Sequence, residues 1–222
     1  MAWVLQEESD KEIIAEIAKQ SDRGAMVIAG SFIETRLINL IYLRLDPDAT
    51  TDELGKMFKG SGAAATFSAK IDLGKLLQLY PASFAQLLHK VRLMRNDAAH
   101  ETTPISFETP SVIARCEHWK TILMPVFSDA AAHHFRMISL DGRRRGMVAL
   151  EEAAHHMEST KSMLDDGTVL PGASAGISVD ASTRDIFMFA VQGILQHFHQ
   201  TQSVVRSFGI VLPPLPGRSE RQ

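Results

Sequence analysis

The sequence predicts an all-α protein, a single helical bundle around a long central buried helix, with an inserted or appended segment around 130–180. Three observations predict it. Apolar residues recur every three or four positions through most of the chain, capping-box sequences and prolines punctuate those runs, and segments that alternate with period two are scarce.

Ser9-Asp10-Lys11-Glu12 has capping-box order and precedes Ile13, Ile14 and Ile17, which predicts a first helix over about 9–20. Ser21 or Asp22 caps a longer second helix that runs to about Leu45, where Asp46-Pro47-Asp48 stops it. This second helix is the central one. Met26, Val27, Phe32, Ile33, Leu37, Leu40 and Ile41 surround most of its cylinder, as expected where neighbours cover nearly every side, and Gly24, Ala25, Ala29 and Gly30 permit close helix approach. Thr50-Thr51-Asp52-Glu53 begins a short helix that the Gly60-Ser61-Gly62 loop ends. A helix over Thr66–Tyr80 carries Phe67, Ile71, Leu73, Leu76 and Leu77, and Pro81 starts the next as its first residue. That next helix has one apolar stripe, Phe84, Leu87, Leu88, Val91, Met94 and Ala98, and ends near His100.

Thr109-Pro110 leads into a helix through Trp119 and Leu123 that Pro125 is expected to kink or end. A further helix is expected over about Arg143–Leu164, then a long Gly, Ala and Ser-rich loop over 167–181. Ser182 caps a closing helix over about 182–207, with Ile186/Phe187, Ala190/Val191, Ile194/Leu195 and Phe198 repeating every four residues. Those repeats read as core rather than as an exposed dimer face. The domain thus spans 1–212, and 213–222 forms a flexible tail.

Composition excludes several classes. The chain has 222 residues, 45% of them apolar, which suffices for a real core, and 23 basic against 26 acidic residues give a net charge of −3. Neither half is basic: up to Pro110 there are 12 basic and 15 acidic residues, beyond it 11 of each. Direct reading of duplex DNA, which calls for a basic face, is not expected. A single cysteine, Cys116, leaves no internal disulfide framework and suits a reducing compartment. The acidic start MAWVLQEESDKE is unlike a signal peptide, and Glu34, Arg36 and Arg44 interrupt the longest apolar stretches. A cytoplasmic location without membrane contact is expected.

The run Val91-Arg92-Leu93-Met94-Arg95-Asn96-Asp97-Ala98-Ala99-His100 carries the most chemistry. On a helix Arg92, Asn96 and His100 fall along one side, while the stem of Arg95 belongs to the buried stripe and its guanidinium needs an anionic partner. Glu34, set in the apolar central helix, has the complementary need, so the two are expected to meet. Two uses fit the cluster. An imidazole can relay a proton while an arginine stabilises charge on a phosphate attacked by a neighbouring 2′-hydroxyl, without metal or cofactor. Alternatively Glu34, Arg92, Arg95 and Asn96 form structural glue between helices and His100 bonds terminal carbonyls.

Segments Ser21–Leu37, Thr66–Leu79 and Val91–His100 stand in the order and approximate spacing of the mannitol operon repressor family, and Ser182 to Val191 resembles the start of that family's closing helix. The resemblance covers about 10–125 and implies an all-helical regulator that binds another protein and acts as a homodimer. The Arg95-to-His100 spacing also resembles the Arg-x4-His signature of the HEPN superfamily. That resemblance implies a metal-independent ribonuclease or toxin acting on RNA across a homodimer, with Arg95 stabilising phosphate, Asn96 as polar companion and His100 carrying the proton. Ala98 departs from the bulky aromatic frequent there, and the 130–180 stretch looks longer than in the repressor family.

Other features are weaker. His133-His134, His155-His156, His197/His199 and Cys116/His118 have spacings that diverge on a helix, so no metal site is expected. Gly55-Lys56 and Gly74-Lys75 lack the rest of a phosphate loop. Arg143-Arg144-Arg145 sits where a helix is expected to start, an unfavourable place for positive charge that hints at an anionic partner.

Overall fold

A computed structural model describes residues 8–46, 48–145 and 181–208, and all regular secondary structure among them is helical. The helices are α1 (Glu8–Lys19), α2 (Asp22–Tyr42), α3 (Thr51–Phe58), α4 (Phe67–Leu76), α5 (Ala82–His100), α6 (Pro110–Arg145) and α7 (Thr183–Phe208). Helix α2 lies at the centre and packs against α1, α4, α5 and α7; α6 closes the bundle against α5 and α7. The expected long central helix is therefore present.

Local chemistry sets the boundaries. The Ser21 hydroxyl accepts from the Gly24 N–H at 3.2 Å and starts α2. Thr50 and Glu53 form a reciprocal capping box on α3, and the bonds Glu53 accepts from Thr50 hold its carboxyl below the usual 4.5. Ser182 and Asp185 cap α7 in the same manner, Ser182 N–H donating to the carboxylate at 3.1 Å and Asp185 N–H to the hydroxyl at 3.2 Å. Three boundaries differ from expectation. Helix α4 stops at Leu76 instead of reaching Tyr80, because Gln78 adopts φ 56° and the Leu79 and Gln78 N–H groups turn back to the carbonyls of Gly74 and Lys75. The turn leaves Leu76 exposed and sends Tyr80 into the core, where its hydroxyl donates to the Ile71 carbonyl at 2.9 Å. A Cβ at position 74 would lie 2.3 Å from that hydroxyl, so glycine is required there. Pro81 is the cap of α5 rather than its first residue. Pro125 does not end α6: it occupies an exposed position, where the carbonyl it leaves without a donor can be hydrated.

The core is one continuous cluster. Ile33, Leu37 and Ile41 of α2, Phe84, Leu88 and Val91 of α5, Trp119 and Leu123 of α6, and Ile186, Val191 and Ile194 of α7 are all essentially inaccessible. Each contributes roughly 1.5–3 kcal/mol relative to an exposed side chain. Trp119 stacks on Phe187 at a centroid distance of 6.2 Å, and Phe107, in the loop before α6, packs on the same ring at 5.3 Å. The apolar repeats of α7 are thus core. Gly193 sets the α6–α7 approach, since a Cβ there would lie 2.1 Å from the Phe127 ring. By length and composition alone α2 would suffice to cross a membrane, despite Glu34 and Arg36; here four helices pack around it.

Residues 130–145 of the expected inserted segment continue α6, so Arg143-Arg144-Arg145 does not begin a helix and the inference drawn from an unfavourable helix start falls away. The rest of that segment, the helix expected to Leu164, the loop over 167–180, His155-His156 and the tail over 213–222 lie outside the described residues.

Candidate functional site

Helix α5 remains helical to His100, so the spacing argument for its last three turns holds. Val91, Met94 and Ala98 face the core. Arg92, Asn96 and Arg95 are half-buried and His100 is exposed. The stem of Arg95 crosses α2 at Gly30, where a Cβ would lie 2.6 Å from both Cβ and Cγ of the arginine. Gly30 therefore creates the close α2–α5 crossing expected of it.

The Arg95 guanidinium has two partners. Nη1 donates to Asn96 Oδ1 at 3.0 Å, and Nη2 lies 3.8 Å from Glu34 Oε2. The expected Glu34–Arg95 meeting occurs, but it is the looser of two ion pairs on that carboxylate. Lys70 of α4 donates from Nζ to Glu34 Oε1 at 2.6 Å and to the Ala65 carbonyl at 2.8 Å. Its side chain is only 5% exposed, against 29% for Arg95. The half-buried carboxylate of Glu34 is thus met first by Lys70, a residue that the sequence does not single out. A signal for it existed. Phe67, Lys70, Ile71 and Gly74 form the buried face of α4 at spacings of three and four, so the lysine lies on an apolar stripe and needs an acid there.

Neighbouring contacts fix the backbone around His100. Asp97 pairs with Arg115 of α6 at 2.5 Å. Arg23 Nη2 donates to the carbonyls of Glu101 at 3.0 Å and Thr103 at 2.6 Å, and the Phe107 N–H donates to Asp22 Oδ2 at 2.9 Å. Arg184 of α7 completes this latch. Its Nη1 donates to Asp22 Oδ1 at 2.7 Å, its Nη2 reaches the carbonyls of Ala18 and Gln20 at 2.9 Å, and its guanidinium covers the Phe107 ring at 5.6 Å. No periodicity marks Arg184 in the sequence. The His100 imidazole has no hydrogen-bond or ion-pair partner among the described residues, so the helix-end bond expected of it in the structural reading is not made. The buried Nε of Arg92 also has no hydrogen-bond partner among them.

The arrangement sets two cations, Lys70 and Arg95, against one carboxylate, and Arg95 against one amide, with Arg92 one turn before Asn96 on α5 and the His100 imidazole one turn beyond it. Chemically it can hold helices together or present positive charge to an anion. Elsewhere, His133 Nε2 lies 2.8 Å from the Gln78 carbonyl and His197 is buried against Phe84 at a centroid distance of 4.2 Å. Among the described residues no three His, Cys, Asp or Glu side chains come together as a metal set. Burial pushes the Cys116 thiol up to about 12. Comparison with protein-family models, with curated proteins and with solved structures found no match to this chain.

Proposed function

We propose that this chain is a cytoplasmic regulatory protein that acts as a homodimer by binding another protein, in the manner its resemblance to the mannitol operon repressor family implies. One observation carries the reading: the Arg95 side chain is committed to the scaffold. Its stem fills the space over Gly30, and its head is shared between Asn96 and Glu34. An arginine that stabilises a phosphate in a transition state has to aim its donors at the reacting group instead.

The second reading, a metal-independent ribonuclease, is favoured by one specific observation, the exposed His100 imidazole with no partner among the described residues. The two readings divide on one experiment. Total RNA is incubated in chelator with the wild type, Arg95→Ala and His100→Ala, while affinity capture from the native host is repeated with purified candidate partners. The regulatory reading expects no RNA cleavage that depends on His100, and a protein that rebinds in purified form. Cleavage abolished by both substitutions would sink it in favour of the nuclease.

A further inference from the structure

Helix α5 packs against α2, α4 and α6, with Phe84, Leu87, Leu88, Val91, Met94 and Ala98 turned into the core. At about 100° per residue the opposite side carries Leu93, Asn96 and His100, flanked by Lys90 and Arg92. Leu93 is 46% exposed and His100 is exposed, so no described element covers this side. Three basic groups on it have no partner. Neither the Lys90 ammonium, the Arg92 guanidinium nor the His100 imidazole makes a hydrogen bond or ion pair with a described residue. The other two basic side chains of the helix are engaged, His89 with Asp72 at 3.2 Å and Arg95 with Asn96 and Glu34. The nearby acids do not balance the excess. Asp97 is taken by Arg115, and Glu101, the cap after His100, stands about 14 Å along the axis from Arg92. The Arg92 Nε is shut off from water and has no acceptor, a deficit that an incoming carboxylate on the same guanidinium offsets.

The outer side of α5 thus presents an exposed leucine between two uncompensated cations. A nucleic-acid backbone calls for a longer positive track, and an apolar side chain adds nothing to a phosphate contact. A second copy of this chain would bring the same positive excess against its own. A protein segment that combines carboxylates with apolar residues answers both features at once. We propose that this side of α5 docks an acidic, amphipathic segment of the partner protein, with an apolar side chain on Leu93 and carboxylates on Lys90 and Arg92. The Asn96 amide nitrogen, whose oxygen is already held by Arg95, supplies a further donor. The inference rests on the regulatory reading and names the chemistry of the partner.

The test uses the full chain and a fluorescein-labelled peptide of repeated Glu-Leu-Leu-Glu units, followed by anisotropy at low salt. Controls are Gln-Leu-Leu-Gln and Glu-Gly-Gly-Glu repeats and a labelled single-stranded RNA of similar length. The acidic, apolar peptide binds saturably, at least about tenfold more tightly than any control, and more weakly as salt is added. Lys90→Gln and Arg92→Gln each weaken it at least about fivefold, whereas Lys19→Gln, on the exposed side of α1, leaves it unchanged. Circular dichroism verifies that the variants fold, and in the wild type the amide shifts that move lie on residues 90–100. No saturable binding up to about 1 mM overturns the proposal, as do equal affinity for a control peptide, undiminished binding by both α5 variants, shift changes confined to other helices, or tighter binding of the RNA. A host protein that rebinds the purified chain equally well after Lys90→Gln and Arg92→Gln overturns the docking face and leaves the regulatory reading standing. That reading fails by a different result, a host that yields no protein able to rebind in purified form.

Discussion

Glu34 is a carboxylate with two cationic neighbours of unequal value. Lys70 touches it at 2.6 Å from a nearly inaccessible position, and removing one member of such a buried pair costs roughly 3–5 kcal/mol because the other charge stays behind. Arg95 stands at 3.8 Å and is 29% exposed, which places its contribution to that carboxylate near the about 1 kcal/mol of solvent-accessible pairs. Lys70→Met is therefore expected to lower unfolding free energy by about 3 kcal/mol and Arg95→Met by about 1 kcal/mol, measured by urea denaturation. The opposite order would make Arg95 the true counter-ion. The sequence made the need of Glu34 legible, since a carboxylate in an apolar helix demands a cation. It did not identify the cation, because periodicity assigns a residue to a face of its own helix and says nothing of which helix lies opposite. Motif order drew attention to α5, whereas the nearer charge came from α4.

Among elements, α6 and α7 show where helix rules hold and where context overrides them. The four-residue repeats of α7 and its Ser182 cap were legible in full, and every residue of those repeats is buried. Pro125 is expected to kink or end its helix, and α6 does not end there, since the proline lies at an exposed position where water can take the carbonyl it leaves without a donor. Gly193 carried no sequence signal, although it sets how near the two helices come. Gly193→Ala places a Cβ 2.1 Å from a ring carbon of Phe127. It is expected to destabilise the protein by roughly 1–3 kcal/mol despite the higher helix propensity of alanine, with the loss seen as a lower Tm. A Tm at or above the wild-type value would mean that Phe127 rotates aside without cost.

For the whole molecule, the order of the helices and their shared core followed from the sequence, as did the position of α2 within them. The lack of partners for Lys90, Arg92 and His100 did not, because it depends on which charges the neighbouring helices bring within reach. Cys116 reports on the integrity of the whole bundle. It is inaccessible in the native state and its thiol is pushed up to about 12 by burial, so alkylation by iodoacetamide near neutral pH is expected to follow global opening and to slow with stabilising conditions. The linkage has a definite sign. A thiol of ordinary pKa 9.0 in the unfolded chain loses its proton before the folded one does, so this group favours folding below 9.0, and that contribution fades as pH rises toward about 12. Denaturation midpoints for the wild type and Cys116→Ala should converge across that alkaline interval. Rapid labelling of the folded protein in the absence of denaturant would contradict the closed core.

The Arg184 latch joins the start of α7 to the turn between α1 and α2, more than 160 positions earlier. During synthesis, then, everything from α1 to α6 leaves the ribosome before the piece that seals it. Until residues 183–208 emerge, the face of Trp119 on which Phe187 stacks, and the rest of the α2 and α6 surface that α7 covers, stay open to water, and open apolar surface of that kind favours aggregation.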